Sequence, residues 1–209
     1  LSVPIIKDII RAYRIPILEV AGYEADDVIG TLATEAGRQG IITYMMTPDK
    51  DYGQLVSDKV FMYRPKHTGG FEVMGVDEVK AKFDIQSPAQ VIDMLGLMGD
   101  SSDNIPGCPG VGEKTAQKLI AEFGSIENLL EHTDQLKGAL KTKVETNREM
   151  ITFSKFLATI KIDVPIQLDM DSLVREQADE DSLRQIFEEL EFRTLIDRVL
   201  KKENAGNGI

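Results

Sequence analysis

The spacing of apolar and polar positions changes along the chain, and the change predicts two kinds of architecture. Ile15, Ile17, Leu18 and Val20, following Pro16, predict a short strand. Residues 24–38 predict a helix with Val28, Ile29, Leu32 and Ala33 on its apolar side. The continuous apolar run at 41–46 predicts a strand buried on both faces. A short helix is expected at 51–56, a strand at 60–63, a turn at Gly69-Gly70 and a hairpin return at 71–74. Strands alternating with helices imply βαβ units and a largely parallel sheet. From residue 76 the period becomes helical, with helices expected at 76–83, 88–98, 113–123, 126–131, 144–159 and 181–190. A loop rich in Asp, Ser, Gly and Pro interrupts them at 99–112, and 163–169 reads as extended. The polar stretch 201–209, with two glycines, reads as a linker or frayed tail.

Composition narrows this picture only a little. The 209 residues are 42% hydrophobic and 28% charged, enough for a globular core. No apolar run approaches the roughly 20 residues that span a membrane, and no secretory leader opens the sequence. The single cysteine, Cys108, excludes a disulfide framework and a cysteine-based zinc site, and the expected location is cytoplasmic. The net charge of −11 argues against a generally basic nucleic-acid binder. It leaves room for a protein that gathers carboxylates around cations, so the placement of the acids matters more than their number.

Three short segments hold them densely. Glu24-Ala25-Asp26-Asp27 stands at a predicted strand-to-helix junction, where acids ordinarily complement the helix dipole but where α/β sheets also bind ligands. Asp49-Lys50-Asp51 follows the apolar strand; if the chain stays extended the two acids point the same way, and either can instead cap the next helix. Asp100-Ser101-Ser102-Asp103 lies at a helix C-terminus, where the dipole disfavours negative charge, so these acids need a partner or solvent unless they serve a surface turn. Should the segments converge, each pair of charges about 4 Å apart costs about 4 kcal/mol at an effective dielectric of about 20. Bound cations or raised pKa values would then be required. All-oxygen ligands suit magnesium or manganese rather than zinc, and two such ions can hydrolyse a phosphodiester.

The most specific motif is Ile105-Pro106-Gly107-Cys108-Pro109-Gly110-Val111-Gly112-Glu113-Lys114-Thr115-Ala116. Gly110 and Gly112 permit a tight turn and close approach to a ligand, and the helix beginning near Glu113 aims free N–H groups outward. Lys114 and Lys118 share a face, while Ala116, Leu119, Ile120 and Phe123 pack inward. This is the pattern of a helix-hairpin-helix, which grips a nucleic-acid backbone without reading bases. A P-loop is the competitor, but Gly112 is followed by Glu113 rather than Lys and the loop follows a helix, so the register fails. Lys137, Lys141, Lys143 and Arg148 extend a basic strip or form a solvated helix face.

Taken in order, Tyr23 to Asp27, Thr47-Pro48-Asp49-Lys50-Asp51, and Gly99 through Pro106-Gly107 to Thr115-Ala116 resemble the 5′-nuclease domain of bacterial DNA polymerase I, within the flap endonuclease superfamily. Leu190-Glu191-Phe192-Arg193-Thr194-Leu195 resembles the close of that domain. The resemblance implies an α/β fold of the PIN/resolvase-like kind, a mainly parallel sheet flanked by helices, with a C-terminal helix-hairpin-helix (helix–three-turn–helix) lobe. It implies a metal-binding core at 1–98 and a helical lobe at 99–200. It implies Glu24, Asp26, Asp27, Asp49, Asp51, Asp100 and Asp103 as ligands of two Mg2+ or Mn2+ ions, with Asp26, Asp49, Asp51, Asp100 and Asp103 catalytic. Gly110, Gly112, Lys114, Thr115 and Lys118 would hold duplex DNA, with a potassium ion at that loop.

The implied activity is hydrolysis at 5′ ends and flaps of DNA, including RNA primers, beside a fused polymerase domain. The family's first strand, with a further metal-binding aspartate, and its basic arch are expected upstream of Leu1. On that expectation the sequence is truncated, and no competent nuclease is expected from it alone. Two other readings stand beside this one: a structure-selective DNA-binding module without catalysis, and a small-molecule phosphatase, in which the glycine loop has no purpose.

Overall fold

The computed structural model describes residues 2–66 and 68–200, and the expected linker at 201–209 lies outside them. In chain order the helices are α1 (Ser2–Ala12), α2 (Ala25–Arg38), α3 (Val76–Phe83), α4 (Val91–Met98), α5 (Glu113–Phe123), α6 (Ile126–Glu131), α7 (Gly138–Thr146), α8 (Arg148–Ala158), α9 (Glu180–Glu189) and α10 (Arg193–Leu200). The strands are β1 (Thr43–Met46), β2 (Val60–Pro65) and β3 (Phe71–Met74). The chain divides into two compact units, one of residues 20–166 and one of the described residues up to Glu19 and from Gln167.

In the smaller unit, Ala12 of α1, Leu183 and Phe187 of α9 and Leu200 of α10 form a buried apolar cluster. The predicted strand at 15–20 does not form; the segment is coil. Its alternation is that of a strand, but Pro16 cannot donate to a ladder, and the described sheet contains only β1, β2 and β3. No described helix is long and apolar enough to cross a membrane.

In the larger unit β1 pairs in parallel with β2, Thr43 beside Val60, and β2 pairs antiparallel with β3, Met62 beside Met74. The fold is α/β as expected, with a small mixed sheet. The antiparallel half follows from the Gly69-Gly70 turn, where both glycines take positive φ. The run at 41–46 is buried on one face only: Met45 is 4% exposed, whereas Tyr44 and Met46 are 56% and 72% exposed. A continuous apolar run does not say how many faces are covered. Here the outer face is a row of rings, with Tyr44 stacked on Phe61 and Tyr63 stacked on Phe71.

Helix α4 is apolar nearly all round and sits at the centre, with Val91, Met94, Leu95 and Leu97 fully buried. Gly96 lets α8 lie close against it; a Cβ there would stand 2.7 Å from Ile126 Cδ1 and 3.1 Å from Lys155 Cα. The single helix expected at 144–159 is broken at Asn147, whose side-chain amide donates to Lys143 O at 2.8 Å and closes α7 before α8 begins. Helix α8 directs its C-terminal residues Leu157 and Ala158, and Thr159 and Ile160 after it, toward the turns that carry the acids.

Candidate functional site

The acid segments are held by ordinary local chemistry. Glu24 is the N-cap of α2, and its backbone N–H reaches Asp27 Oδ2 at 3.4 Å. The cluster does open a helix, as its sequence suggests, but no strand precedes it. After β1 the chain turns at once: Asp49 caps a 3-10 turn (Lys50–Leu55) and its Oδ1 accepts the N–H of Asp51 at 3.0 Å. Asp49 and Asp51 thus share a turn rather than one face of an extended strand.

Asp100 follows α4 across Gly99 and pairs with Ile105 in a two-residue antiparallel bridge, N–H to O at 2.9 and 2.8 Å. The bridge closes Ser101 to Asn104 into a miniature hairpin, with Asn104 at φ 56°. Gly99 and Gly107, both at positive φ, lie back to back beneath it; a Cβ on Gly107 would stand 2.3 Å from Gly99 N.

These turns converge. Glu24, Asp26, Asp27, Asp49, Asp51 and Asp103 line one cavity of about 420 Å³, together with Ser102, Asn104, Ile105 and residues 157–160. Asp100 is buried, and one oxygen each from Asp51, Asp100 and Asp103 lie within 4.8 Å of one another. A larger hollow of about 960 Å³ lies over the α7–α8 junction. It contains no comparable acid cluster, so size does not mark the site here.

The electrostatics of the cavity are unbalanced. Lys50 Nζ donates to Asp100 Oδ2 and stands 3.7 Å from Asp51 Oδ1. That second separation allows an ion pair but no hydrogen bond, and Asp51 Oδ1 is buried without a hydrogen-bond partner among the described residues. Burial first, and then the neighbouring Asp49 charge, push the Asp51 carboxyl up to about 6, although Lys50 opposes the shift. Burial also works to raise Asp100, but the Lys50 hydrogen bond and the N–H of Ser102 outweigh it and hold that carboxyl below its ordinary range. Asp103 is raised by its partial burial and by Asp100 and Asp49. Lys50 stays above the usual lysine range despite burial, held by Asp100, Asp51 and Asp49. Tyr52 donates to Asp26 Oδ1 at 2.7 Å; burial and that hydrogen bond keep its phenol protonated well above the usual range.

Asp51, with a buried oxygen that accepts no hydrogen bond among the described residues, and the two carboxylates beside it offer the all-oxygen donor set that suits a divalent cation. Lys50 supplies part of the missing positive charge. In the sequence alone neither Lys50 nor Tyr52 declares its role at the site. A lysine flanked by two aspartates was the available signal for the first; a tyrosine in an apolar-patterned turn offers none.

The helix-hairpin-helix candidates lie elsewhere on the unit. Gly112 is the N-cap of α5, with no side chain over the first turn. Gly110, Gly112, Lys114 and Lys118 are exposed and Thr115 is half-buried, while Ala116, Leu119, Ile120 and Phe123 are buried as their spacing implies. Lys143 Nζ donates to Gly110 O at 3.2 Å, and Lys141 lies 3.9 Å from Glu145.

Comparison with known proteins finds two family models that match the chain. Residues 1–84 match the family described as 5′-3′ exonuclease, N-terminal resolvase-like domain. Residues 86–181 match 5′-3′ exonuclease, C-terminal SAM fold. DNA polymerase I of Bacillus caldotenax is 40% identical over 198 residues, which are 94% of this chain and 22% of that protein. DNA polymerase I of Bacillus subtilis is 43% identical over 200 residues, 95% of this chain and 23% of the relative. The chain therefore spans under a quarter of the length of these relatives.

Among solved structures, T5 5′-exonuclease with bound divalent metal ions (zinc) superposes with a TM-score of 0.62 at 21% identity, covering 85% of this chain and 62% of that one. The catalytic core of Rad2 in complex with DNA substrate gives a TM-score of 0.62 at 16% identity, covering 93% and 66%. At those identities the likeness is one of fold.

Proposed function

The chain belongs to the 5′-3′ exonuclease family, and on that premise we propose that it is the nuclease part of a DNA polymerase I, hydrolysing phosphodiester bonds at 5′ ends and flaps of DNA. The observation that carries this reading is the meeting of one carboxylate oxygen each from Asp51, Asp100 and Asp103 within 4.8 Å, beside an Asp51 Oδ1 that is buried and accepts no hydrogen bond among the described residues. Two Mg2+ or Mn2+ ions are the proposed cofactors, with Asp51, Asp100 and Asp103 nearest to one another and Glu24, Asp26, Asp27 and Asp49 around the same cavity. The chemistry such cations supply is activation of a water and neutralisation of the leaving oxygen. The chain's own residues prepare the site: Tyr52 orients Asp26, Asp49 fixes the turn bearing Asp51, and Lys50 holds Asp100.

Substrate duplex is proposed to lie across Gly110, Gly112, Lys114, Thr115 and Lys118, gripped by its backbone through open N–H groups and lysines. A potassium ion at that loop is supported by Gly110 O, which already faces the Lys143 ammonium. Residues 1–98, joined by Asp100 and Asp103 from the head of the lobe, would form the metal-binding core, and the rest of 99–200 the lobe that holds DNA. RNA primers annealed to DNA, a cytoplasmic site of action and a fused polymerase domain complete the reading.

Manganese-soaked crystals examined by anomalous diffraction test it. A peak within about 2.3 Å of oxygens of Asp51, Asp100 and Asp103 is expected. A cavity without a peak, together with undiminished flap cleavage by an Asp100→Ala variant of the longer protein, would overturn it in favour of a module that only binds DNA.

A further inference from the structure

The segment that leaves α8 forms one wall of the acid cavity, yet no strand pairs with it. Its backbone groups are taken up by side chains from the acid-bearing turns. Gln54, in the same 3-10 turn as Asp51, donates from Nε2 to Ala158 O at 2.9 Å and to Asp51 O at 3.0 Å. Its Oε1 accepts the N–H of Ile160 at 2.9 Å. Asp27 Oδ1 accepts the N–H of Lys161 at 2.9 Å, and its Oδ2 faces the N–H of Glu24. Thr31, one turn along α2, donates to Lys161 O at 3.5 Å and accepts the N–H of Val164 at 3.2 Å. The approach is close: a Cβ on Gly30 would stand 2.7 Å from Ile160 Cγ2 and 3.3 Å from Lys161 O.

We propose that Asp27 and Gln54 are positioning residues that latch residues 158–161 across the cavity and so fix the spacing of the acids, and that Asp27 is not itself a cation ligand. The inference rests on the metal-centre reading and divides its carboxylates. Asp51 keeps an oxygen with no hydrogen-bond donor, and Asp100 is met on one oxygen by the Lys50 ammonium, which a cation can displace. Both oxygens of Asp27 already face backbone N–H groups, as a structural acceptor's do. Gln54 joins the two halves of the site: one amide holds the carbonyl of Asp51 and, through Ala158 and Ile160, the opposite wall. Removing it leaves the Ala158 carbonyl and the Ile160 N–H without their partner and frees the Asp51 turn to shift.

The test is manganese titration of this chain followed by electron paramagnetic resonance, with amide hydrogen exchange read on the metal-free protein. Asp27→Asn keeps an acceptor oxygen for Lys161 while removing the charge. It should bind manganese within about threefold of the parent, whereas Asp51→Asn should lose about 10–100-fold. Gln54→Ala and Asp27→Ala should each weaken binding about tenfold and speed exchange at the amides they hold, Ile160 for the first and Lys161 for the second. Loss in Asp27→Asn equal to that in Asp51→Asn would make Asp27 a ligand and overturn the proposal. Unchanged exchange at Ile160 in Gln54→Ala would remove the latch. If the parent chain binds no manganese while the exchange pattern appears as expected, the metal centre fails and the latch survives, so the two readings separate.

Discussion

Two places in the larger unit set a lysine against carboxylates, and they have opposite character. Lys155 on α8 donates to Asp93 on α4 at 2.6 Å and to Glu127 beside it at 2.8 Å, and Asp93 Oδ1 also accepts the N–H of Ile126 at 2.9 Å. Asp93 is only 4% exposed, yet its charge is met and its Oδ1 accepts two hydrogen bonds. Around Lys50, by contrast, Asp100 is met, Asp51 is not, and further acids line the same cavity. Burial and company are alike in the two places. What differs is that Asp93 Oδ1 accepts two hydrogen bonds that tie helices together, whereas Asp51 Oδ1 is buried and accepts none among the described residues.

The largest test of this contrast is Asp93→Ala. It would leave Lys155 with only the exposed Glu127 as partner and the buried Ile126 N–H without its acceptor, and should destabilise the protein by about 3 kcal/mol in urea unfolding. A loss below about 1 kcal/mol would erase the distinction between the two clusters.

Asp51→Asn should act in the opposite direction. A carboxyl raised from 3.8 to about 6 in the folded state binds its proton more tightly there than in the unfolded chain. Stability from this group is therefore full below about pH 4 and is lost as pH rises through about 6, where the cost reaches at most about 3 kcal/mol. The variant should be more stable than the parent at neutral pH without metal, and its unfolding should lack that slope. Saturating manganese should restore much of the parent's deficit, because a ligand bound only by the folded state stabilises it. A variant less stable than the parent at pH 7.5 would show that Asp51 is satisfied after all.

The smallest effect concerns exposed Lys114. Its change to Ala should lower the slope of log DNA affinity against log salt by about one without altering thermal stability. A loss of stability instead would place it with Lys155.

Much of the helical lobe was legible because its signals are local. The helices at 76–83, 113–123 and 126–131 form where the apolar period and their glycine or serine neighbours put them. The strand expected at 15–20 failed because period alone does not provide a partner strand. The helix at Ser2–Ala12 escaped notice because Pro4 and the mixed polarity of its opening hide the face that meets Leu183 and Phe187.

At the site, each acid segment could be picked out by its density, but its neighbours could not. Gln54 bonds to backbone more than a hundred residues away. A glutamine carries no mark of that in a sequence, because the information lies in the path of the chain after α8. Lys155 and Asp93 were equally silent, since an isolated charge on an apolar helix looks the same whether it is paired or not.

The back-to-back glycines under the acid hairpin have a consequence for how this stretch can vary. Because a side chain on Gly107 would meet the backbone of Gly99, and one on Gly99 would meet the carbonyls of Ile105 and Pro106, neither position can change first and be rescued by the other. Ser101 and Ser102, on the exposed rim between them, carry no such restriction. In a saturation library over residues 99–107, the tolerated sequences should vary freely at the rim and be invariant at its two hinges. The acid hairpin is thus free to change at Ser101 and Ser102 alone, between ends locked by sterics and beside the acids it presents.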